Sequence, residues 1–234
     1  MDERLQKIFT YVIEQVIATG EPIGSQYLVD RYNLNISPAT VRNYFAVLEK
    51  DGYIMQPHTS SGRIPTEKGY QYYIENILQP RILSKKENKD LESVAQAFGK
   101  DVVTVKALAK VAAELAQNAV IVSLAENDSY YTGLSHLFTQ PEFKDWNRIV
   151  SMSDVLDRLD EVLSIMHSKH YDKPSVFLGN DCPFGSMCGT VITSLPGGYT
   201  FGILGPMRMD YGLSISIIKK IMDLLHNDYV DQKE

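Results

Sequence analysis

Cysteine is almost missing from this chain: two of 234 residues, Cys182 and Cys188, carry a thiol. Two thiols cannot make a disulfide-rich scaffold, and their separation matches neither CxxC redox chemistry nor a zinc knuckle. Long apolar runs are absent too. No stretch approaches the roughly 20 residues a membrane span requires, and the start MDERLQKIF has charges where a signal peptide would carry an apolar core. A cytoplasmic protein with no membrane partner is expected. An excess of positive charge is also lacking: 23 Lys+Arg stand against 29 Asp+Glu, a formal net charge of -6. That balance argues against nonspecific coating of nucleic acid and leaves room for a local DNA-reading face. No Gly-rich phosphate loop, Ser-His-Asp set or paired-carboxylate site emerges, so no enzyme and no cofactor are expected. His167 and His170 could share a metal only with a third ligand, and none accompanies them.

What is present is an ordinary globular composition, 44% hydrophobic and 22% charged, in a length suited to two modest domains. The spacing of Leu5, Ile8, Phe9, Val12, Ile13 and Val16 predicts a helix that Gly20 and Pro22 stop. Ser25 is expected to cap a second helix through Tyr32, and the tight turn NLNI follows. Ser37-Pro38 opens a third helix, since Ser can cap orphan N–H groups and Pro at the first position has none to leave unpaired. It runs to Asp51 and ends at Gly52. At 100° per residue Val41, Phe45 and Leu48 share one face, with Ala39, Asn43, Ala46 and Lys50 opposite and Thr40 and Arg42 on the flanks.

Helix, helix, tight turn, helix is the helix-turn-helix pattern. The strand Tyr53–Gln56, the turn-rich tip 58–63 and the returning Ile64-Pro65 would add a hairpin, making a winged helix. Thr66 then caps a closing helix whose Tyr70, Tyr73, Ile74 and Ile77 read as core, not as a base-stacking platform. These elements define an expected winged helix-turn-helix DNA-binding domain over residues 1–80.

Pro80 and the polar run SKKENKD mark a boundary or helix entry. From Leu91 to about Leu124 apolar residues recur at mostly helical spacing with a Gly99 interruption, so residues 81–128 are expected as a helical linker and dimerisation segment. Residues 129–234 are expected as a small α+β dimerisation or regulatory domain. It would have a helix over Val155–Met166, strands at 175–178, 190–193 and 199–204, a hairpin turn at Pro196-Gly197-Gly198, and a last helix over 214–225. Its helices would pack on one side of an antiparallel sheet, giving an α+β fold class overall.

The motifs TGEPIGS at 19–25, SPATVRN at 37–43 and QPHTSSGRIPTEKGY at 56–70, with GLSHLFTQPEF at 133–143 and GPMRMDYG at 205–212, resemble the HrcA family of heat-inducible transcription repressors in order and spacing. The resemblance implies a dimeric winged-helix repressor of heat-shock and chaperone genes that binds an inverted-repeat operator in double-stranded DNA and answers to a chaperonin. Members are usually longer. Here AELAQNAVIVSLAENDSYYTGLSHLF passes almost directly from the linking helix to a C-terminal signature, so the resemblance implies that the last domain is a remnant of the family's GAF-like domain. Tyr44 also stands where the family usually has an acidic residue.

The residue types themselves select the expected DNA-binding set. Arg42 and Asn43 can each read a purine edge through two hydrogen bonds, with phosphate contact as the milder role, and Ser37 and Thr40 suit cap and phosphate duties. Ala39, Ala46 and Lys50 complete the outer face. His58, Ser61 and Arg63 belong to the hairpin, from which Arg63 could enter a narrow minor groove or stay solvated. From Ser25 to Lys68 there are five basic residues against four acidic ones, so one copy neutralises few phosphates and a homodimer on two half-sites is expected. The alternative is a small-molecule-responsive regulator whose C-terminal domain senses a ligand. The residues name no ligand.

Overall fold

The structure is a computed structural model that describes residues 1–98, 101–125, 128–144 and 159–230. The chain divides into two compact units, Met1–Leu78 and Gln79–Glu234. In the first, α1 (Glu3–Thr19) starts where the Asp2 carboxylate accepts the Leu5 N–H at 2.8 Å and buries Leu5, Ile8, Phe9, Val12, Ile13 and Val16. Helix α2 (Ser25–Tyr32) has Gly24 as its cap, with no side-chain bond there, so Ser25 opens the helix instead of capping it. Helix α3 (Pro38–Lys50) is capped by Ser37, whose Oγ accepts the Thr40 N–H at 3.1 Å, and buries Val41, Phe45 and Leu48. Strands β1 (Ile54–Met55) and β2 (Ile64–Pro65) pair antiparallel, shorter than the expected Tyr53–Gln56 run. Helix α4 (Glu67–Asn76) begins at Thr66, whose Oγ1 accepts from Gly69. Tyr70 and Tyr73 are buried, and Tyr72 packs with Phe9 and Tyr53, so this aromatic stripe is core.

Two glycines set how closely this unit can pack. A Cβ on Gly69 would lie 2.1 Å from the Tyr53 carbonyl oxygen, and one on Gly62 would lie 2.4 Å from the Ile23 backbone. The second approach lets Ile23 and Arg63 exchange both backbone hydrogen bonds at 2.9 Å, which ties the hairpin to the segment before α2. Gly69→Ala should therefore cost about 1–3 kcal/mol, the scale of overpacking against backbone that cannot yield, measured by denaturant unfolding. An unchanged midpoint would mean the helix shifts freely.

The first helix of the second unit begins inside the polar run. Ser84 and Glu87 form a reciprocal cap, the Ser84 N–H donating to the Glu87 carboxylate at 2.6 Å and the Glu87 N–H to Ser84 Oγ at 3.3 Å. This cap starts α5 (Lys85–Phe98), and α6 (Val102–Ala116) follows. Residues Ala119–Ala125, read above as the end of a helical stretch, form strand β3 instead. A run that is apolar at nearly every position carries no period to tell a buried strand from a helix. Strands β4 (Asp128–Thr132), β5 (Ser175–Leu178), β6 (Cys188–Leu195) and β7 (Tyr199–Pro206) complete an antiparallel sheet of order β4-β3-β7-β6-β5. Pro196, Gly197 and Gly198 close the β6–β7 hairpin.

Helices α7 (Leu134–Phe138) and α8 (Leu159–His167) cover one face of the sheet around Ile121, Cys188, Ile192 and Leu204. The alternate residues face α6 and α9 (Tyr211–Val230), as the bond from Thr193 Oγ1 to Met222 Sδ marks. Helices therefore cover both faces, not one as expected. The reason is visible in β3, β6 and β7, which are buried on both alternating sets of residues and so need cover on both sides. Val155 and Leu156 of the expected 155–166 helix lie outside the described residues. The motifs 133–143 and 205–212 meet in space: Arg208 donates to the Glu142 carboxylate at 2.5 Å and to Gln140 Oε1 at 2.8 Å.

Cys182 and Cys188 are buried, unpaired thiols in the core beneath α7 and α8. Burial pushes the Cys182 thiol up to about 12, against a backbone hydrogen bond that lowers it, and burial together with Cys182 pushes Cys188 up as well. A thiol whose folded pKa exceeds its unfolded one holds its proton longer in the native state. Its contribution is full below the unfolded value near 8.5 and is lost as pH rises toward 12, at about 1.4 kcal/mol per pH unit for each thiol. Unfolding titrations at pH 8 and pH 10 should show lower stability at pH 10, and Cys182→Ala should lessen that difference. Equal pH slopes in the two proteins would contradict this reading.

Candidate nucleic-acid interface

The surface opposite the core of α3 is built by the same periodicity that buries Val41, Phe45 and Leu48. Ala39, Arg42, Asn43, Ala46, Val47 and Lys50 are exposed on it, and Thr40 is half-buried near the cap. Ser37 Oγ also lies 3.0 Å from Thr40 Oγ1, so these two hydroxyls hold each other at the helix start. Asn43 sits centrally among the exposed residues and offers both a donor and an acceptor.

Beside this face lies a cleft of about 290 Å³ lined by Ser25, Arg42, Glu49, Ser60, Ser61 and Arg63 among others. Two of these residues are joined, Arg42 donating from Nη1 to Ser25 Oγ at 3.3 Å. The hairpin tip is held by Ser61, whose Oγ donates to the His58 carbonyl at 2.6 Å and accepts the His58 N–H at 3.1 Å. His58 is exposed. Ser60 takes a positive φ of 67°, an unusual conformation for a residue with a Cβ.

Arg63 departs from the arrangement pictured for a free cation at a hairpin tip. It lies at the root of the returning strand, and its Nη2 and Nε meet Glu49 Oε2 at 3.1 and 3.2 Å. Its side chain is 20% exposed and that of Glu49 38%. Lys68 is likewise engaged, donating from Nζ to the Asp51 carbonyl at the end of α3 at 2.8 Å. Of the five cations between Ser25 and Lys68, Arg31, Arg42, Lys50 and Lys68 are exposed and Arg63 is half-buried. The region is thus close to neutral and can attract a polyanion only weakly by charge alone.

Two residues of this surface were not singled out above. Val47, 44% exposed, is four residues from Asn43 on the same face, and its apolar side chain gives no cue to a surface role. Glu49 is joined to Arg63 across 14 residues of chain, a pairing no local pattern announces. Among the described residues no group of three His, Cys, Asp or Glu could hold a metal ion. His170 lies 3.0 Å from Asp172, and the side chain of His167 lies outside the described residues. Among the described residues no helix is long and apolar enough to cross a membrane.

A family model described as the HrcA protein C-terminal domain matches residues 33–215. Curated relatives named heat-inducible transcription repressor HrcA are similar over part of the chain. The Moorella thermoacetica protein is 51% identical over 89 residues, 38% of this chain and 26% of that protein. The Acidothermus cellulolyticus protein is 42% identical over 120 residues, 50% of this chain and 35% of that protein. The matches thus span about a quarter to a third of the relatives' own length. A crystal structure of a hypothetical protein at 2.2 Å resolution shares the fold, with a TM-score of 0.77 over 99% of each chain at 15% identity.

Proposed function

Because the chain belongs to the HrcA family, we propose that it is a sequence-specific DNA-binding transcriptional repressor whose first unit is a winged helix-turn-helix. The observation that carries this reading is the outward face of α3. It is a helix capped at its start, apolar inward, and exposing Ala39, Arg42, Asn43, Ala46 and Lys50 beside a cleft and a hairpin. Such a helix enters the major groove, where Asn43 can bond an adenine edge and Arg42 a guanine edge or a phosphate. Ser37 and Thr40 sit at the phosphate flank, and His58 and Ser61 belong to the wing.

The protein acts as a homodimer on an inverted repeat. Four exposed cations per copy between Ser25 and Lys68, set against four acidic residues in the same span, release too few counterions to hold one half-site at physiological salt. The second unit, helices and sheet together, serves dimerisation and regulation, its residues 129–234 standing for a GAF-like remnant. Its family membership points to heat-shock and chaperone genes as targets, to a chaperonin as the regulatory partner and to a cytoplasmic site of action. A ligand-sensing role for this unit gains little support from the cavity lined by Ile121, Leu163, Met166, Phe184 and Ile192. At about 10 Å³ it is at the scale of one water molecule.

The test is a titration of the purified full chain on duplexes from the upstream region of a chaperone operon and on scrambled controls, at several salt concentrations. Preference for the operon duplex that survives at 150 mM salt supports the reading. Equal binding to both at every salt concentration overturns it.

A further inference from the structure

The cleft between α3 and the hairpin is lined by both members of the Arg63–Glu49 pair. In a winged helix the reading helix occupies the major groove while the wing approaches the neighbouring minor groove. The phosphodiester strand dividing the two grooves then runs over the space between them. In this protein that space is lined by Arg42 from one side and by Ser60, Ser61 and Arg63 from the other, with the Glu49 carboxylate among them. Resting on the reading above, we propose that Glu49 is a competitor for Arg63. It holds the guanidinium in the free protein and yields it to a DNA phosphate in the complex.

The geometry supports an exchange and not a fixed strut. Arg63 is anchored by its backbone, which exchanges two hydrogen bonds with Ile23, so the hairpin root does not depend on the guanidinium for its position. Nη1 donates to the Ser61 carbonyl at 3.5 Å, and both contacts with Glu49 fall on the same carboxylate oxygen, Oε2, so the pair lacks the parallel two-oxygen geometry of the strongest arginine–carboxylate bridges. Both side chains are partly open to solvent, which puts the pair in the class that contributes little to stability and is readily traded. A phosphodiester in the cleft is an anion of equal charge with two free oxygens, so it can replace Glu49 as the partner of Arg63. Glu49 is then left as an unpaired negative charge beside a phosphate, and that repulsion sets a limit on affinity for any duplex, whatever its sequence.

The test compares the wild type, Glu49→Gln, Arg63→Ala and the double variant, all as full chains. The probes are a duplex that the wild type binds specifically and a scrambled duplex of equal length. Glutamine keeps the shape and polarity of the side chain and removes the charge; thermal melting checks that each variant is folded. Glu49→Gln should tighten binding to both duplexes by a similar factor, roughly two- to fivefold, the scale of one partly exposed charge interaction. The slope of log K against log salt should steepen by up to about 0.9, because the Glu49 charge no longer offsets the phosphate neutralised by Arg63. Arg63→Ala should weaken both, and the double variant should bind less tightly than Glu49→Gln. Weaker binding by Glu49→Gln would mean the carboxylate positions Arg63 for DNA. Unchanged affinity and slope would mean Arg63 never leaves it. Either result overturns the inference while leaving specific DNA binding by the wild type intact; a wild type that prefers no duplex overturns the functional reading first.

Discussion

A fragment ending at Leu78 should fold by itself and bind a single half-site far more weakly than the full chain binds two. The first unit has its own caps at Asp2, Ser37 and Thr66, its own core from Phe9 to Tyr73, and a hairpin closed by backbone bonds between Ile23 and Arg63. Nothing in that inventory draws on residues beyond Leu78, so loss of the second unit should spare the structure. Affinity is another matter. Arg63 is paired with Glu49, and the exposed Arg31, Arg42, Lys50 and Lys68 are few, so one copy gains little from counterion release. Joining two copies makes the second half-site encounter intramolecular, which raises overall affinity by about 10²–10⁴ when the geometry matches. Sedimentation of both proteins beside titrations on duplexes with one and two half-sites should show a monomeric fragment and a dimeric full chain with that difference. A monomeric full chain, or a fragment as tight on one half-site as the full chain on two, would defeat the dimer reading.

The second large effect belongs to Asn43. Replacing it with alanine should leave the melting temperature nearly unchanged, because the residue is exposed on α3 and the buried face of that helix is Val41, Phe45 and Leu48. It should also remove about 1–3 kcal/mol of discrimination between the operator and a scrambled duplex, the scale of one bidentate base contact. The loss would appear as a smaller ratio of the two affinities, with the salt slope kept. Arg42→Ala differs in kind if its role is phosphate contact: both affinities fall together and the slope flattens. A wild-type ratio in Asn43→Ala would remove Asn43 from the base readers.

How far the sequence reveals this protein depends on the range of the interaction concerned. Helices α1 and α3 were legible because their signals are local, a cap at one end and a 3.6-residue period between. The outer face of α3 follows from that period, which puts Ala39, Asn43, Ala46 and Lys50 on one side. Capping at α2 misled, since a serine one residue inside a helix reads much like a serine at its cap. In the second unit β3 was hidden by its uniformly apolar run, and β4, with the sequence DSYYT, by its polarity at the sheet edge. The cover on both sheet faces followed from neither. Least legible of all was the Glu49–Arg63 pair, because it depends on where the hairpin returns across α3, a tertiary fact with no trace in residue spacing.

The central claim is that two copies of α3 read two half-sites of one operator. Sequencing of genomic fragments retained by the purified full chain measures the motif and its spacing together. The account predicts a single enriched inverted repeat whose half-site centres lie about 10–10.5 base pairs apart or a multiple of that, so that both helices meet the same side of the duplex. Enrichment of no motif, or of an isolated half-site without its inverted partner, would contradict it.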